Sequence, residues 1–176
     1  MTRLIGVPES DEYAPASARY VSRAAAIADP LAELASQQSR VTARLSPLGE
    51  ERGAYRYAPD KWSVKELVNH LSDVERVFAY RLLRIGRGDK TPLPGFEEND
   101  YARAAQSDRR QFSDVLREWS AIRVATIALA ESLPDADWAN TGTTNDATVS
   151  ARALLYVILG HTEHHLVVLA DRYGIR

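Results

Sequence analysis

Residues 154–169 read LLYVILGHTEHHLVVL and carry three of the four histidines in the chain. The apolar content and length of this stretch are typical of a buried helix. At roughly 100° per residue, His161 and His165 lie one turn apart, on the same face as Leu154 and Ile158. A histidine pair at i and i+4 is half of a metal site, because both ring nitrogens can reach one ion without bending the backbone.

The fourth histidine belongs to a second helical pattern, WSVKELVNHLSDVERVFAYRLLR, residues 62–84. His70 lies there on a face that contains apolar residues. We therefore predict that His70, His161 and His165 meet inside a helix bundle. His164 lies about 60° from His161, at the edge of the apolar stripe. It ranks below the other histidines as a ligand, and it fits a pocket residue and a surface residue equally well.

Composition indicates one globular domain with a real core, since 45% of the 176 residues are apolar and 26% are charged. With a net charge of −2 and arginine interspersed with acidic residues, we expect neither nucleic acid nor a membrane as partner. The absence of cysteine excludes disulfides and cysteine-based zinc sites. The N-terminus does not resemble a signal peptide, and no apolar run approaches a membrane span, so we expect a cytoplasmic protein.

Apolar spacing, caps and stop residues predict four long helices. They run from Asp29 to about Pro47, from Ser63 to about Ile85, from Ser107 or Ser113 to Leu133, and from Thr148 or Ser150 to Tyr173. No alternating strand pattern is convincing, although residues 134–147 leave room for a small extended piece. The sequence thus predicts an all-α bundle over residues 29–176, preceded by an N-terminal extension over residues 1–28 with a short helix. The long connection 86–106 has room to cover the mouth of a site.

Two motifs carry a resemblance to a known family. They are W-S-x-K-E-L-x-x-H-L-x-D-x-E at residues 62–75 and H-T-E-H-H at residues 161–165. Together they resemble the DinB-like, or YfiT-like, proteins over about residues 29–173. The resemblance implies a four-helix bundle in up-down-down-up order, a homodimer, and a metal held by His70, His161 and His165.

The resemblance also implies an activity. It points to a metal-dependent hydrolase, or to a transferase that joins a low-molecular-weight thiol such as bacillithiol or mycothiol to a small electrophile. Three imidazoles suit zinc and nickel alike and leave a coordination position open for water or substrate. The reacting group would then be activated water or a thiolate rather than a protein side chain.

Two other interpretations stay open: a non-catalytic, metal-binding stress-response module, and a purely structural bundle that dimerises through an apolar face.

Near the three histidines, Asp73 is the better candidate to hold a ligand imidazole, although a solvated helix carboxylate explains it too. Glu163 is expected to face away. Trp62 either lines the site or packs the helix entry into the core. Arg81 either meets an anionic substrate or reaches the rim.

Overall fold

The computed structural model describes residues 5–176. Within these residues the helices are α1 (Ala18–Ala24), α2 (Pro30–Leu45), α3 (Glu50–Gly53), α4 (Val64–Gly86), α5 (Glu98–Ala105), α6 (Phe112–Glu131) and α7 (Ala151–Tyr173). One antiparallel hairpin joins strands β1 (Thr141–Thr144) and β2 (Ala147–Ser150). The four long helices α2, α4, α6 and α7 confirm the predicted helical bundle.

Local capping chemistry explains where three of the four long helices begin. The Asp29 carboxylate accepts a hydrogen bond from the third amide of α2 at 3.0 Å. Ser63 and Glu66 form both hydrogen bonds of the predicted capping box at the start of α4. Ser150 caps α7 in the same way as Asp29 caps α2. These side chains satisfy backbone amides that have no partner within the helix.

The third long helix begins differently from both predicted starts. Ser107 opens a separate 3-10 turn, Ser107–Arg109, instead of the long helix. Helix α6 then begins at Phe112 after Gln111, which makes no side-chain cap, so Ser113 is not the cap either.

Two further elements add to the sequence prediction. The connection 86–106 contains helix α5, and the small extended piece allowed within residues 134–147 is part of a hairpin with four residues in each strand. Asn145 and Asp146 make its turn with φ values of 49° and 61°. Positive φ at both central residues is the geometry whose twist matches a two-residue hairpin, and Asn and Asp tolerate it.

Helix α2 packs against α6 and α7, and α4 packs against the same two helices. The Gln37 amide donates to the Leu159 carbonyl at 3.0 Å, and farther along the Arg44 guanidinium reaches the Leu166 carbonyl at 3.5 Å. These contacts advance in the same direction along α2 and α7. They support the up-down-down-up order, which stays a prediction.

The core has two apolar clusters, and the histidine motif lies between them on α7. One cluster contains residues 153–159 of α7 together with α1 and the hairpin. The other contains Leu166, Leu169 and Tyr173 with the facing sides of α2, α4 and α6. Residues 161–165 therefore occupy the middle of the bundle, where polar groups are enclosed on both sides by apolar packing.

The N-terminal segment is part of the packed structure rather than a loose arm. Ile5 and α1 belong to the first apolar cluster, and the Tyr156 hydroxyl donates to the Ile5 carbonyl at 3.0 Å. At Gly160 a Cβ would come within 1.9 Å of the Tyr20 carbonyl oxygen, so only glycine lets α1 lie this close to α7. Residues 1–4 lie outside the described part, and the division of the chain at residue 28 stays a prediction.

Helix α7 is long and apolar enough, by length and composition, to cross a membrane. The sequence pattern did not suggest this, because histidines and Glu163 interrupt the apolar run. In the fold, 72% of the apolar 18-residue stretch of this helix is buried. The hydropathy of α7 is thus accounted for by its place as the central core helix of the bundle.

Candidate metal centre

Three histidine side chains converge in the middle of the bundle. His70 comes from α4, and His161 and His165 come from successive turns of α7. One ring nitrogen from each lies within 4.8 Å of those of the other two, and all three residues are buried. The Nε2 atoms of His70 and His161 are 3.1 Å apart. The structure therefore brings together the three residues that the sequence predicts as a cluster.

Burial keeps these imidazoles neutral. It lowers the pKa of His70 to about 4, with a smaller contribution from the positive charge of His164. It also lowers the pKa of His161 and His165 well below 6.5, and repulsion among the histidines acts in the same direction. Neutral imidazole is the form that offers a lone pair to a metal ion.

Aromatic rings enclose the histidine cluster on both sides. Trp62 packs on His70 with ring centroids 4.7 Å apart, so it lines the site as well as marking the start of α4. Tyr20 of α1 lies edge-on against His161 at 5.2 Å and against His164 at 5.7 Å. His164 is half-buried beside the cluster, and its ring contacts His165 at 5.0 Å.

Two cavities have residues of the histidine cluster in their walls. The larger, about 410 Å³, has His161 in its wall and extends between α1, α4 and the hairpin. The smaller, about 230 Å³, has His165 and Trp62 in its wall. Asn99 of α5 lines both, so the helix in the connection 86–106 lies where a site cover was expected. A small molecule can therefore reach His161 through the larger cavity and His165 through the smaller one.

Neither acidic candidate binds a histidine. The Asp73 carboxylate accepts from the Asn69 amide at 2.8 Å, and burial raises its pKa. Glu163 points to α2, where it accepts from Gln37 at 2.9 Å and pairs with Arg40. Glu163 thus faces away as the helical geometry predicts, and Asp73 stabilises its own helix instead of orienting an imidazole.

The residues fit a metal ion on the evidence of their own geometry. Two nitrogens bound tetrahedrally to one zinc ion lie about 3.3 Å apart, close to the spacing seen here between His70 and His161. In addition, the buried Nδ1 of His165 has no hydrogen-bond partner within the described chain. A buried polar atom without a hydrogen-bond partner is unfavourable, and coordination of a metal ion by this imidazole would compensate for the missing hydrogen bond.

Sequence patterns did not reveal Tyr20 and Asn99 as site residues. Tyr20 belongs to a short helix outside both motifs, and Asn99 belongs to a segment read as an irregular connection. Their positions depend on how α1 and α5 pack against the bundle. The one available signal was Gly160 within an apolar helix, which indicates a close backbone approach.

Fold and site together define a helical-bundle protein with a buried cluster of three histidines. A scan of protein families matches the DinB superfamily over residues 33–169, which is most of the chain. The chain belongs to the DinB superfamily, as its two motifs predict.

Solved structures agree on the fold. YfiT from Bacillus subtilis, described as a probable metal-dependent hydrolase with an unusual four-helix bundle topology, superposes with a TM-score of 0.72 at 16% identity, covering 96% of this chain and 94% of that one. The mycothiol-dependent maleylpyruvate isomerase superposes with a TM-score of 0.66 at 14% identity, covering 78% of this chain and 58% of that one. At such low identity these similarities establish the fold alone. A search of curated proteins found no significant match.

Proposed function

We propose that this protein is a metal-dependent enzyme in which His70, His161 and His165 hold one divalent ion, zinc or nickel. The observation that carries the proposal is the convergence of three buried, neutral imidazoles, two of which line cavities. When bound, the ion supplies Lewis-acid activation of water or of a thiol. The substrate is a small molecule with an electrophilic centre.

The chain contributes positioning and exclusion of water around the ion. Trp62 and Tyr20 restrict access to the imidazoles, and Asn99 offers an amide at the edge of both cavities. Two cavities on one centre suit a reaction with two small reactants, such as a low-molecular-weight thiol and an electrophile. Hydrolysis needs only one organic reactant and is the other reaction of this class.

Metal content by mass spectrometry of untagged protein tests the site. We expect about one zinc or nickel ion per chain in the wild type and loss of that ion in His165→Ala. His164→Ala is the matched control, because it removes the neighbouring imidazole outside the cluster and should keep the ion. A wild type that takes up neither metal when offered would overturn the proposal.

The alternative is a metal-binding module without catalysis, which differs from the enzyme in showing no substrate turnover. Incubation of the zinc-loaded protein with esters, and with thiols plus alkylating electrophiles, should give turnover that disappears in His165→Ala. Metal binding without turnover across both panels would favour the non-catalytic module. We further propose, from the resemblance and the composition, a cytoplasmic homodimer without nucleic acid or membrane partners.

A further inference from the structure

Arg81 is a buried cation without an acidic partner. Its side chain lies on α4 and is only 6% exposed. The Nη2 atom donates to the Pro94 carbonyl at 2.8 Å. Across residues 5–176, no carboxylate lies within ion-pair distance of it. Burial accordingly lowers the pKa of Arg81, and no neighbouring charge opposes that effect.

Arg123 is a buried arginine with a structural role, and it provides a comparison for Arg81. It is fully buried, and its guanidinium makes two hydrogen bonds to the Glu75 carboxylate, at 2.7 and 2.8 Å. A buried charge without such a partner is costly, because it loses hydration without compensation. Arg81 therefore differs from Arg123 in having an unused capacity to bind an anion.

The Arg81 side chain lines two cavities. One, of about 300 Å³, is bounded by Pro94 and Phe96 and contains no histidine. The other, of about 410 Å³, also has His161 in its wall, so it connects Arg81 with the histidine cluster. The rings of Phe78 and Phe96 flank the guanidinium, with centroids 5.4 and 5.9 Å from its central carbon. These rings exclude water from the guanidinium, which strengthens a charge-assisted hydrogen bond to a ligand.

The other charged groups of the larger cavity limit the charge of a ligand. Glu97 and Glu98 are exposed at the start of α5, and Arg19 is exposed at the edge of α1, where it donates to the Tyr20 hydroxyl at 2.6 Å. The interior thus holds one buried positive charge, whereas the two carboxylates and the Arg19 guanidinium are exposed. A single carboxylate group suits this arrangement better than a doubly charged phosphate.

We propose that Arg81 binds the carboxylate of the substrate, so that the substrates are small monocarboxylic acids whose reactive end faces His161. The statement about the reactive end rests on the proposed function. Arg81 lies eleven residues after His70 on α4, about 16 Å along the helix axis, and the longer arginine side chain extends further toward the N-terminus than the imidazole does. The ligand therefore spans on the order of 10 Å between the guanidinium and the histidines.

The test compares two probes that differ only at one end, 6-mercaptohexanoate and 6-mercaptohexanol, by calorimetry on the zinc-loaded protein. We expect the wild type to bind the carboxylate about tenfold more tightly, the size of one charge-assisted hydrogen bond. Arg81→Met should bind both probes equally, and Arg81→Lys should keep part of the preference. Equal affinities in the wild type, or a preference that survives in Arg81→Met, would overturn the proposal.

Arg84→Met is the matched control. Arg84 lies one turn further along α4, carries the same charge, and pairs with Asp89 instead of lining the cavity. We expect this variant to keep the wild-type preference. Melting of the ligand-free proteins adds a second measurement, in which Arg81→Met should be at least as stable as wild type. Lower stability of Arg81→Met together with equal probe affinities in the wild type would assign Arg81 to holding the Pro94 carbonyl and overturn the proposal.

A metal-free arm separates this proposal from the proposed function. Hexanoate, 1-hexanol and hexyl phosphate are compared for their effect on the melting temperature of chelator-treated protein. Stabilisation by hexanoate that depends on Arg81 would support the carboxylate site even if the protein takes up no metal. Stronger stabilisation by hexyl phosphate would overturn the assignment to carboxylates. Loss of metal uptake with an intact response to hexanoate would count against the metal centre alone.

Discussion

At the scale of single residues, the buried pair of Arg123 and Glu75 has the largest expected effect on stability. Its hydrogen bonds join α6 to α4, and Nη1 also donates to the Gln37 side chain of α2 at 2.7 Å. Thr162 of α7 accepts from Nη2 at 3.0 Å. The network thus connects all four long helices one residue from His161.

Glu75→Leu tests this network. The substitution removes the carboxylate that pairs with the buried Arg123 charge and leaves it only neutral hydrogen-bond partners, so we expect the free energy of unfolding to fall by about 3–5 kcal/mol. Urea denaturation of the metal-free protein measures the change. Asp114→Ala is the control, since Asp114 pairs with Arg117 on the surface and should cost less than about 1 kcal/mol. Similar losses in the two variants would show that Arg123 finds water when its partner is removed.

At the scale of helices, Gly160 controls how closely α1 approaches α7. In an ordinary helix interior, alanine is more favourable than glycine by about 1 kcal/mol. Here the added Cβ would overlap the Tyr20 carbonyl, so we expect Gly160→Ala to lower the melting temperature and to displace Tyr20 from His161. Calorimetric melting and the near-ultraviolet circular dichroism of the aromatic residues measure both effects.

Gly49→Ala provides the control for this substitution. A Cβ at Gly49 meets nothing within 4 Å, and its backbone is extended at φ −83°. We expect the melting temperature of Gly49→Ala to stay close to that of the wild type. A Gly160→Ala variant as stable as Gly49→Ala would mean that α1 shifts away from α7 at little cost.

An ion pair between Glu12 and Arg152 fixes the N-terminal segment to the start of α7. The Arg152 hydrogen bonds lower the pKa of Glu12 from 4.5 to about 2. Because the pKa of Glu12 is lower in the folded protein than in the unfolded chain, the ion pair stabilises the fold fully above pH 4.5. This stabilisation is lost as the pH falls toward 2. We expect Glu12→Gln to cost about 1 kcal/mol of unfolding free energy at pH 7. Denaturation at pH 7 and pH 3 should show a smaller difference from wild type at the lower pH, and an unchanged difference would contradict this assignment.

The long helices were predictable because each combines a sustained apolar period with a cap. The positions of His70, His161 and His165 on inward faces followed from the same periodicity. The short helix α1 was predicted within the N-terminal extension, whereas α5 and the pairing of the hairpin were poorly predictable, since eight residues, or four residues per strand, are too few for a clear period. Tyr20 and Asn99 reach the site through those elements, so the cavity walls could not be read from the sequence.

At the scale of the whole molecule, the homodimer implied by the family resemblance calls for an exposed apolar surface. A groove between α2 and α6 contains Leu48, Leu116 and Val124, and Val124 is 56% exposed. We expect sedimentation to give a dimer for wild type and a monomer for Val124→Glu, because a buried carboxylate without a partner opposes association. Val167→Glu, on an exposed position of α7, should leave the dimer intact. A monomeric wild type would remove the homodimer from the proposal, and a dimeric Val124→Glu would place the interface elsewhere.

Metal binding should stabilise a protein that already folds without it. Both apolar clusters and the Arg123 network consist of residues other than the three histidines, so we expect the apoprotein to keep its core. Ligand that binds only the folded state adds about 2.7 kcal/mol when present at 100 times its dissociation constant. For a chain of this size we expect zinc to raise the melting temperature by about 5–10 °C over chelator-treated protein, with no such rise in His165→Ala. Circular dichroism melts measure the difference. An unfolded apoprotein would instead identify a structural metal site, because only a site needed for folding makes the whole bundle depend on its ion.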